Sequence, residues 1–425
     1  MMAQAEIAVE REPVEAPVPR PPRRWPAWLQ ALLIPALAIV TALAISSIFI
    51  LISDTEVLGA WGRFFQAPGQ ALRLSAARLL DAYGALLEGS IGNPKELVGG
   101  LADWLAGRGN ARLLQALYPL SESLVASTPY IFAGLAVALG FQCGLFNIGA
   151  EGQLFIGAIV STWVGYSVTG LPWMRHLPLA LLAGALGGAV WGALPGYLKA
   201  KTGAHEVINT IMMNYIAFRL SDWLLTGPMQ RSGFNPVSPP ILPSAYLPRF
   251  LPDPLRFHAG FFVALGVAWL VYWFLWKTTL GFEIRTVGAN PNAARYAGMS
   301  VTRNFVLAMA LSGALAGLAG TNEVLGVNHF MAQAFSSGYG FDSIALALLG
   351  KSHPLGVVLA SLLWGFLRAG AIRMQSSARI PIDIIQIVQA MVIVFVAAPA
   401  IIRWLYRLRE EREEVGPIFT RGWGT

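Results

Sequence analysis

Between Trp28 and Ile52 the chain carries no charged side chain. A helix needs about 20 consecutive apolar residues to cross the hydrocarbon core of a bilayer, because it rises only about 1.5 Å per residue. Further apolar stretches recur near 119–141, 146–169, 177–199, 204–226, 257–276, 304–325, 335–350, 355–375 and 381–403. In lipid, backbone polar groups must be satisfied inside the segment, which leaves helices for runs of this length. Residues 27–403 therefore read as the membrane domain of an all-α polytopic membrane protein with about ten transmembrane helices, some broken. Composition fits that class: only 12% of residues are charged, against roughly a quarter in soluble domains.

Charge sets the expected orientation. Arg20, Arg23 and Arg24 precede the first run, and Lys199 and Lys201 follow the fourth. Basic residues favour the cytoplasmic side, so the N- and C-termini both read as cytoplasmic. Residues 1–26 are Pro-rich and of mixed charge, a disordered cytoplasmic tail, and 404–425 form a second cytoplasmic tail. The region 53–117 is amphipathic, with a helical stretch at Ala71 to Leu87, and falls outside. Arg368, Arg373 and Arg379 also fall outside, in conflict with the charge rule. The net charge of +7 fits basic cytoplasmic loops, and no basic-aromatic patch points to nucleic acid. With Cys143 as the single cysteine, no intramolecular disulfide can form.

Polar residues inside the apolar runs carry the functional signal. The stretch from Gly144 to Phe155 holds Asn147, Glu151 and Gln153 among glycines. A carboxylate at membrane depth costs roughly 2.5–3.5 kcal/mol on insertion scales and usually faces a bundle interior. In the 204–226 run, Glu206, Thr210 and Asn214 step by four with Asn209 beside them, giving one polar helix side. Two readings stand for these stripes: a lined pathway, or hydrogen bonds between helices. Asp342 lies in the short run after Gly338, where a break is expected, and Asp383, Gln386 and Gln389 mark the last run. Gly184, Gly188, Gly192 and Gly196 form a ridge for close helix contact, as do Gly313 and Gly317.

The sizeable polar insertion on the inner side is 277–303, basic on balance. Its centre, Gly288 to Gly298, reads as an Asn290-Pro291 turn opening a short helix that Gly298 stops, a docking element. Catalytic chemistry is missing. Ala345 to Ser352 comes near a phosphate loop but lacks the first glycine and a preceding strand. No metal-ligand cluster, catalytic triad or nucleophile motif is visible, so no catalytic and no metal residues are assigned.

With these residues in hand, the chain resembles the permease subunits of bacterial ABC importers. The closer group is the ribose and branched-chain amino-acid type, and within it the nucleoside and simple-sugar branch. The likeness is carried by Gly144-Leu-Phe-Asn-Ile-Gly-Ala-Glu-Gly-Gln153, Glu206-Val-Ile-Asn-Thr-Ile-Met-Met-Asn-Tyr215 and Gly288-Ala-Asn-Pro-Asn-Ala-Ala-Arg-Tyr-Ala-Gly298. Gly338-Tyr-Gly-Phe-Asp-Ser-Ile-Ala345 with Leu349-Gly-Lys-Ser-His-Pro-Leu-Gly356 adds a fourth stretch. The resemblance covers about 28–403 and leaves 53–117 unexplained. It implies a multi-pass protein of the bacterial inner (plasma) membrane that moves a nucleoside or related simple sugar inward. It further implies a second permease subunit, in a heterodimer, a cytoplasmic ABC ATPase and an extracytoplasmic substrate-binding lipoprotein. The ATPase would hold ATP and Mg, and this chain would bind no cofactor of its own. The expected substrate pathway is Asn147, Glu151, Gln153, Glu206, Asn209, Thr210, Asn214 and Asp342. The expected ATPase-coupling set is Arg285, Asn290, Ala293, Ala294, Arg295, Tyr296 and Gly298.

Three other readings compete. A permease for branched-chain amino acids would share the fold. A secondary carrier would show broken helices and an ion-coupling carboxylate, for which Glu151, Glu206 and Asp342 qualify, but also two matching halves, which are not evident. An intramembrane enzyme would need a nucleophile or metal set.

Overall fold

A computed structural model of the chain describes residues 27–233 and 235–407. The expected tail 1–26, and the tail beyond 407, lie outside the described residues. Apart from the isolated bridges Val237–Ala332 and Arg249–His258, the described residues are helices and their connections.

Helix α1 (Ala27–Ser53) is the first apolar run, and Asp54 caps α2 (Thr55–Gly62) by accepting from the Glu56 and Val57 amides. Asp54 also pairs with Arg78 at 2.7 Å, bringing α3 (Pro68–Ser90) back beside α1. There the Tyr83 hydroxyl donates to the Leu43 carbonyl at 2.6 Å. The expected helix Ala71 to Leu87 lies within α3. Helix α4 (Pro94–Leu105) then folds as a hairpin onto the start of α5 (Ala111–Gln142).

From Thr128 to Phe141 every α5 residue is buried. A helix that is apolar on all sides belongs at the centre of a bundle, and α5 is the axis of this one. Helices α6 (Ala150–Ser167), α7 (Trp173–Thr202) and α8 (Glu206–Leu225) follow. Next come α9 (Gly260–Lys277), α10 (Thr279–Ala289), α11 (Pro291–Tyr296) and α12 (Val301–Glu323). The glycine ridges of α7 and α12 meet: a Cβ built on Gly192 would sit 3.0 Å from the Gly313 Cα, so the backbones touch. Such contact supplies the van der Waals packing that holds membrane helices together where lipid offers no hydrophobic drive. Helix α12 ends in a wide turn over Val324–Asn328, and His329 leaves it with left-handed backbone (φ 58°). The His329 ring stacks on Tyr246 at 3.7 Å, tying down the loop between α8 and α9.

The chain closes with α13 (Tyr339–Leu349), α14 (Pro354–Ser376), α15 (Ile382–Ala397) and α16 (Pro399–Leu405). Helices occupy all the expected stretches, but among the described residues six are long and apolar enough to cross a membrane. Counting the bent pair α15–α16 as one span raises the number to seven. The shortfall has physical causes. With 11 residues, α13 reaches only about 16 Å of a roughly 30 Å core. In α6 and α8 polar side chains interrupt the apolar run. The last expected span, 381–403, is broken by a bend of 83° between α15 and α16.

Candidate functional site

The turn between α5 and α6 is built by Gly144, whose left-handed backbone (φ 71°) ends α5, and packs on Gly288 of α10. It delivers Asn147 into the bundle with no exposed surface. The Asn147 amide nitrogen donates to the Gln153 carbonyl at 2.9 Å and to the Ser312 hydroxyl at 2.8 Å. Its oxygen accepts from the Gly149 amide at 3.0 Å, and Ser312 passes its own proton to the Ala136 carbonyl at 2.6 Å. One side chain thus joins α5, α6 and α12.

Asn214 does the same for α8. Its oxygen accepts from the Gly152 amide at 2.8 Å and its nitrogen donates to the Ile148 carbonyl at 3.0 Å. Thr210 is buried one turn earlier and returns its hydroxyl to the Val207 carbonyl at 3.1 Å. Glu151 is buried and accepts from the Gly340 amide at 2.5 Å, which pins the start of α13 against α6. Asn147, Glu151, Gln153 and Asn214 are therefore bound to protein groups in this structure. Glu206 pairs with Lys199 at 2.9 Å where α7 passes into α8, and the half-buried Asn209 amide nitrogen has no protein partner.

Asp342 belongs to a second cluster, one that the sequence does not reveal. The Arg368 guanidinium of α14 donates to the Tyr130 hydroxyl and to Ser337, and lies 3.8 Å from the Asp342 carboxylate. Tyr130 in turn donates to Asp342 at 3.0 Å. The guanidinium sits 5.8 Å from the Tyr130 ring and 5.4 Å from the Tyr339 ring. At about 1.5 Å per residue Arg368 is roughly 21 Å from the Pro354 end of its helix, within the thickness of a bilayer core. Yet the Arg368 and Asp342 side chains stay 31% and 34% exposed. A charged pair at that depth faces water or protein, not hydrocarbon. The available signal was Arg368 itself, a lone cation in the apolar stretch Leu362 to Ala371. Its neighbour Arg373 pairs with Glu88 of α3 at 3.2 Å, so two of the three arginines that strain the charge rule have acidic partners. Glu122 and Arg256 form a further ion pair between α5 and the loop before α9.

At the opposite end of α14, Asn290 caps α11 by accepting from the Asn292 and Ala293 amides, and Gly298 leaves the helix in left-handed backbone (φ 82°). Ala293, Arg295 and Tyr296 are exposed, Tyr296 at 97%. Two members of the expected coupling set do not face outward. Ala294 is buried under α11, and Arg285 turns inward: it donates to the Leu275 carbonyl at 3.0 Å and covers the Trp276 ring. The Trp276 ring lies 5.0 Å from His353, in the turn between α13 and α14. In that turn Lys351 and Ser352 both hold left-handed backbone (φ 52°), and the Ser352 carbonyl accepts from Gln142 at 3.0 Å. The turn follows a helix, so it has neither the strand nor the glycine cradle of a phosphate loop.

A bundle of apolar helices sewn together by buried amides, with a partly exposed charged pair at membrane depth, is the architecture of a multi-pass membrane protein. Residues 120–397 match the family described as the permease component of branched-chain amino acid transport systems, and the chain belongs to that family. It is 45% identical over 294 residues to the guanosine ABC transporter permease protein NupP of Bacillus subtilis, covering 68% of this chain and 84% of that one. It is 39% identical to the glucose ABC transporter permease protein TsgB13 of Haloferax volcanii, over 66% of this chain and 77% of the relative. It is 37% identical to the nucleoside ABC transporter permease protein NupB of Lactococcus lactis, over 67% of this chain and 80% of the relative. No solved structure matches the chain.

Proposed function

We propose that this chain is the permease subunit of an ABC importer carrying a nucleoside, or a related simple sugar, across the inner membrane of a bacterial cell. The observation that carries the reading is the 45% identity to a guanosine permease over 294 residues. Chemistry supports a neutral, hydrogen-bonding solute. Arg368 is balanced by Asp342, so the site offers donors and acceptors without net charge.

The same reading assigns ten crossings with both termini inside, α6, α8 and α13 being shielded from lipid by other protein. A second, different permease subunit covers the outer face of α8. That face combines Ile208, Met212, Tyr215 and Trp223 with Arg219, whose side chain is 87% exposed, an arrangement ill suited to hydrocarbon. The solute passes between the subunits, with Asn209 and Asp342 offering polar atoms to it. Asn147, Glu151, Gln153, Glu206, Thr210 and Asn214 hold the lining helices in register. A cytoplasmic ATPase, which binds the ATP and Mg, seats on Ala293, Arg295 and Tyr296, and an outer lipoprotein delivers the solute.

The division of labour is directly testable. Purified alone in proteoliposomes, the chain hydrolyses no ATP, and ATP-driven uptake appears only when the ATPase is added together with the second permease subunit and the lipoprotein. ATP hydrolysis by the lone chain that disappears in Lys351→Ala would overturn this assignment.

A further inference from the structure

The region 55–105 lies outside the family match, and its helices are turned inside out. At about 100° per residue, Val98, Leu101, Trp104 and Leu105 fall on one arc of α4, with Glu96, Gly99, Gly100 and Asp103 on the opposite side. In a hairpin surrounded by water the apolar arc would turn onto α5, since burial of apolar area is the main drive to pack. The reverse is found. Gly99 and Gly100 lie against Arg112 and Leu113 of α5. Glu96 pairs with Arg112 at 2.8 Å, and Asp103 with Arg108 at 2.7 Å and with Arg112 at 3.5 Å. Val98, Leu101, Trp104 and Leu105 all point outward and are exposed.

The same pattern continues in the helices before it. Exposed Ile48, Phe49 and Ile52 mark the outer face of α1, and only Asp54 separates α1 from α2. Beyond it Trp61 stacks on Phe64 at 5.0 Å, Phe64 meets Phe65 edge-on, and Phe65 is 99% exposed. Leu72, Leu80 and Leu87 are exposed on α3, whose other side packs on α14. Aromatic residues next to the end of a span are the usual anchors at the boundary between lipid and water. Helices with an outward apolar face and a polar back lie in that boundary.

We propose that the outward arc of α4 and the Trp61–Phe64–Phe65 cluster sit in the interfacial layer of the lipid bilayer, forming a collar around the permease. Lipid fits better than a folded partner. The carboxylates Glu96 and Asp103 are matched by Arg108 and Arg112 within the hairpin, which leaves no net field to orient a protein, and the surface continues the lipid-facing side of α1. The inference is independent of what the permease carries.

Site-directed nitroxide labelling tests it on the full-length chain in nanodiscs of phosphatidylcholine and phosphatidylglycerol. Cysteines are placed singly at Phe65, Val98, Leu101 and Leu105, with Lys95→Cys as the reference on the polar edge. Cys143 is buried and stays unlabelled. Collisions with oxygen should exceed those with a water-soluble nickel chelate several-fold at the four apolar positions, and the ratio should invert at Lys95. Four independent positions guard against one misfolded variant. Nickel collisions equal to or above oxygen along the arc would mean that it faces water. Both collision rates at the floor would mean that protein covers it. Either outcome overturns the proposal.

Discussion

Asn147 uses both ends of its amide inside the protein, and that decides what its removal does. In Asn147→Ala the Gln153 carbonyl, the Ser312 hydroxyl and the Gly149 amide lose a partner where no water can replace it. Leaving buried polar groups unpaired costs about 1–3 kcal/mol, so the detergent-solubilised variant should unfold several degrees earlier. Arg368→Lys should behave differently. Lysine keeps the charge but cannot fork between Tyr130 and Ser337, so uptake should fall about ten-fold or more with little change in thermal stability. Thermal unfolding and uptake measured on both variants separate the two roles; a large stability loss in Arg368→Lys would make the pair a structural tie. The polar character of the Gly144 to Phe155 stretch could be read from the chain, because a carboxamide and a carboxylate stand out in an apolar run. Their partners could not: Ser312 and Gly340 are remote in sequence, and a single chain does not disclose long-range pairing. For the same reason Arg368 registered only as a charge on the wrong side, its acidic partner unseen.

Among the elements, the polar insertion 277–303 was the most legible, since Asn290, Pro291 and Gly298 are local signals that start and stop α11 without help from the rest of the fold. What they do not disclose is which way a short helix rolls. Ala293 and Ala294 look equivalent in sequence, but Ala294 is buried and Ala293 exposed. This changes what each substitution should report. Ala294→Trp should overfill the space under α11 and lower the yield of folded protein, whereas Tyr296→Ala should leave folding intact and lower ATP-driven uptake at least several-fold. Fluorescence-detected size exclusion and uptake measured side by side check the pair. A well-folded, fully active Tyr296→Ala protein would remove that side chain from the docking surface. Behind α11, Arg285 lies over the Trp276 ring, which in turn contacts His353 at a tilt in the turn before α14. The two left-handed residues in that turn, Lys351 and Ser352, carry backbone strain of the kind that persists only where neighbours enforce it.

For the whole molecule, hydrophobic run length established the class and located the helices but overstated how many can cross a membrane unaided. Among the described residues six helices pass on length and apolarity, while α6 and α8 carry polar residues that make them poor company for lipid and α13 is too short to span it. Those same helices hold most of the candidate pathway, so what weakens them as isolated spans fits a role at the centre of a larger assembly. The most direct measurement is uptake into proteoliposomes holding the complete complex, energised with ATP and offered labelled guanosine, glucose and leucine in turn. Uptake of guanosine that requires ATP and is outcompeted by other nucleosides is the expected result. ATP-driven uptake of leucine with guanosine excluded would contradict the assignment.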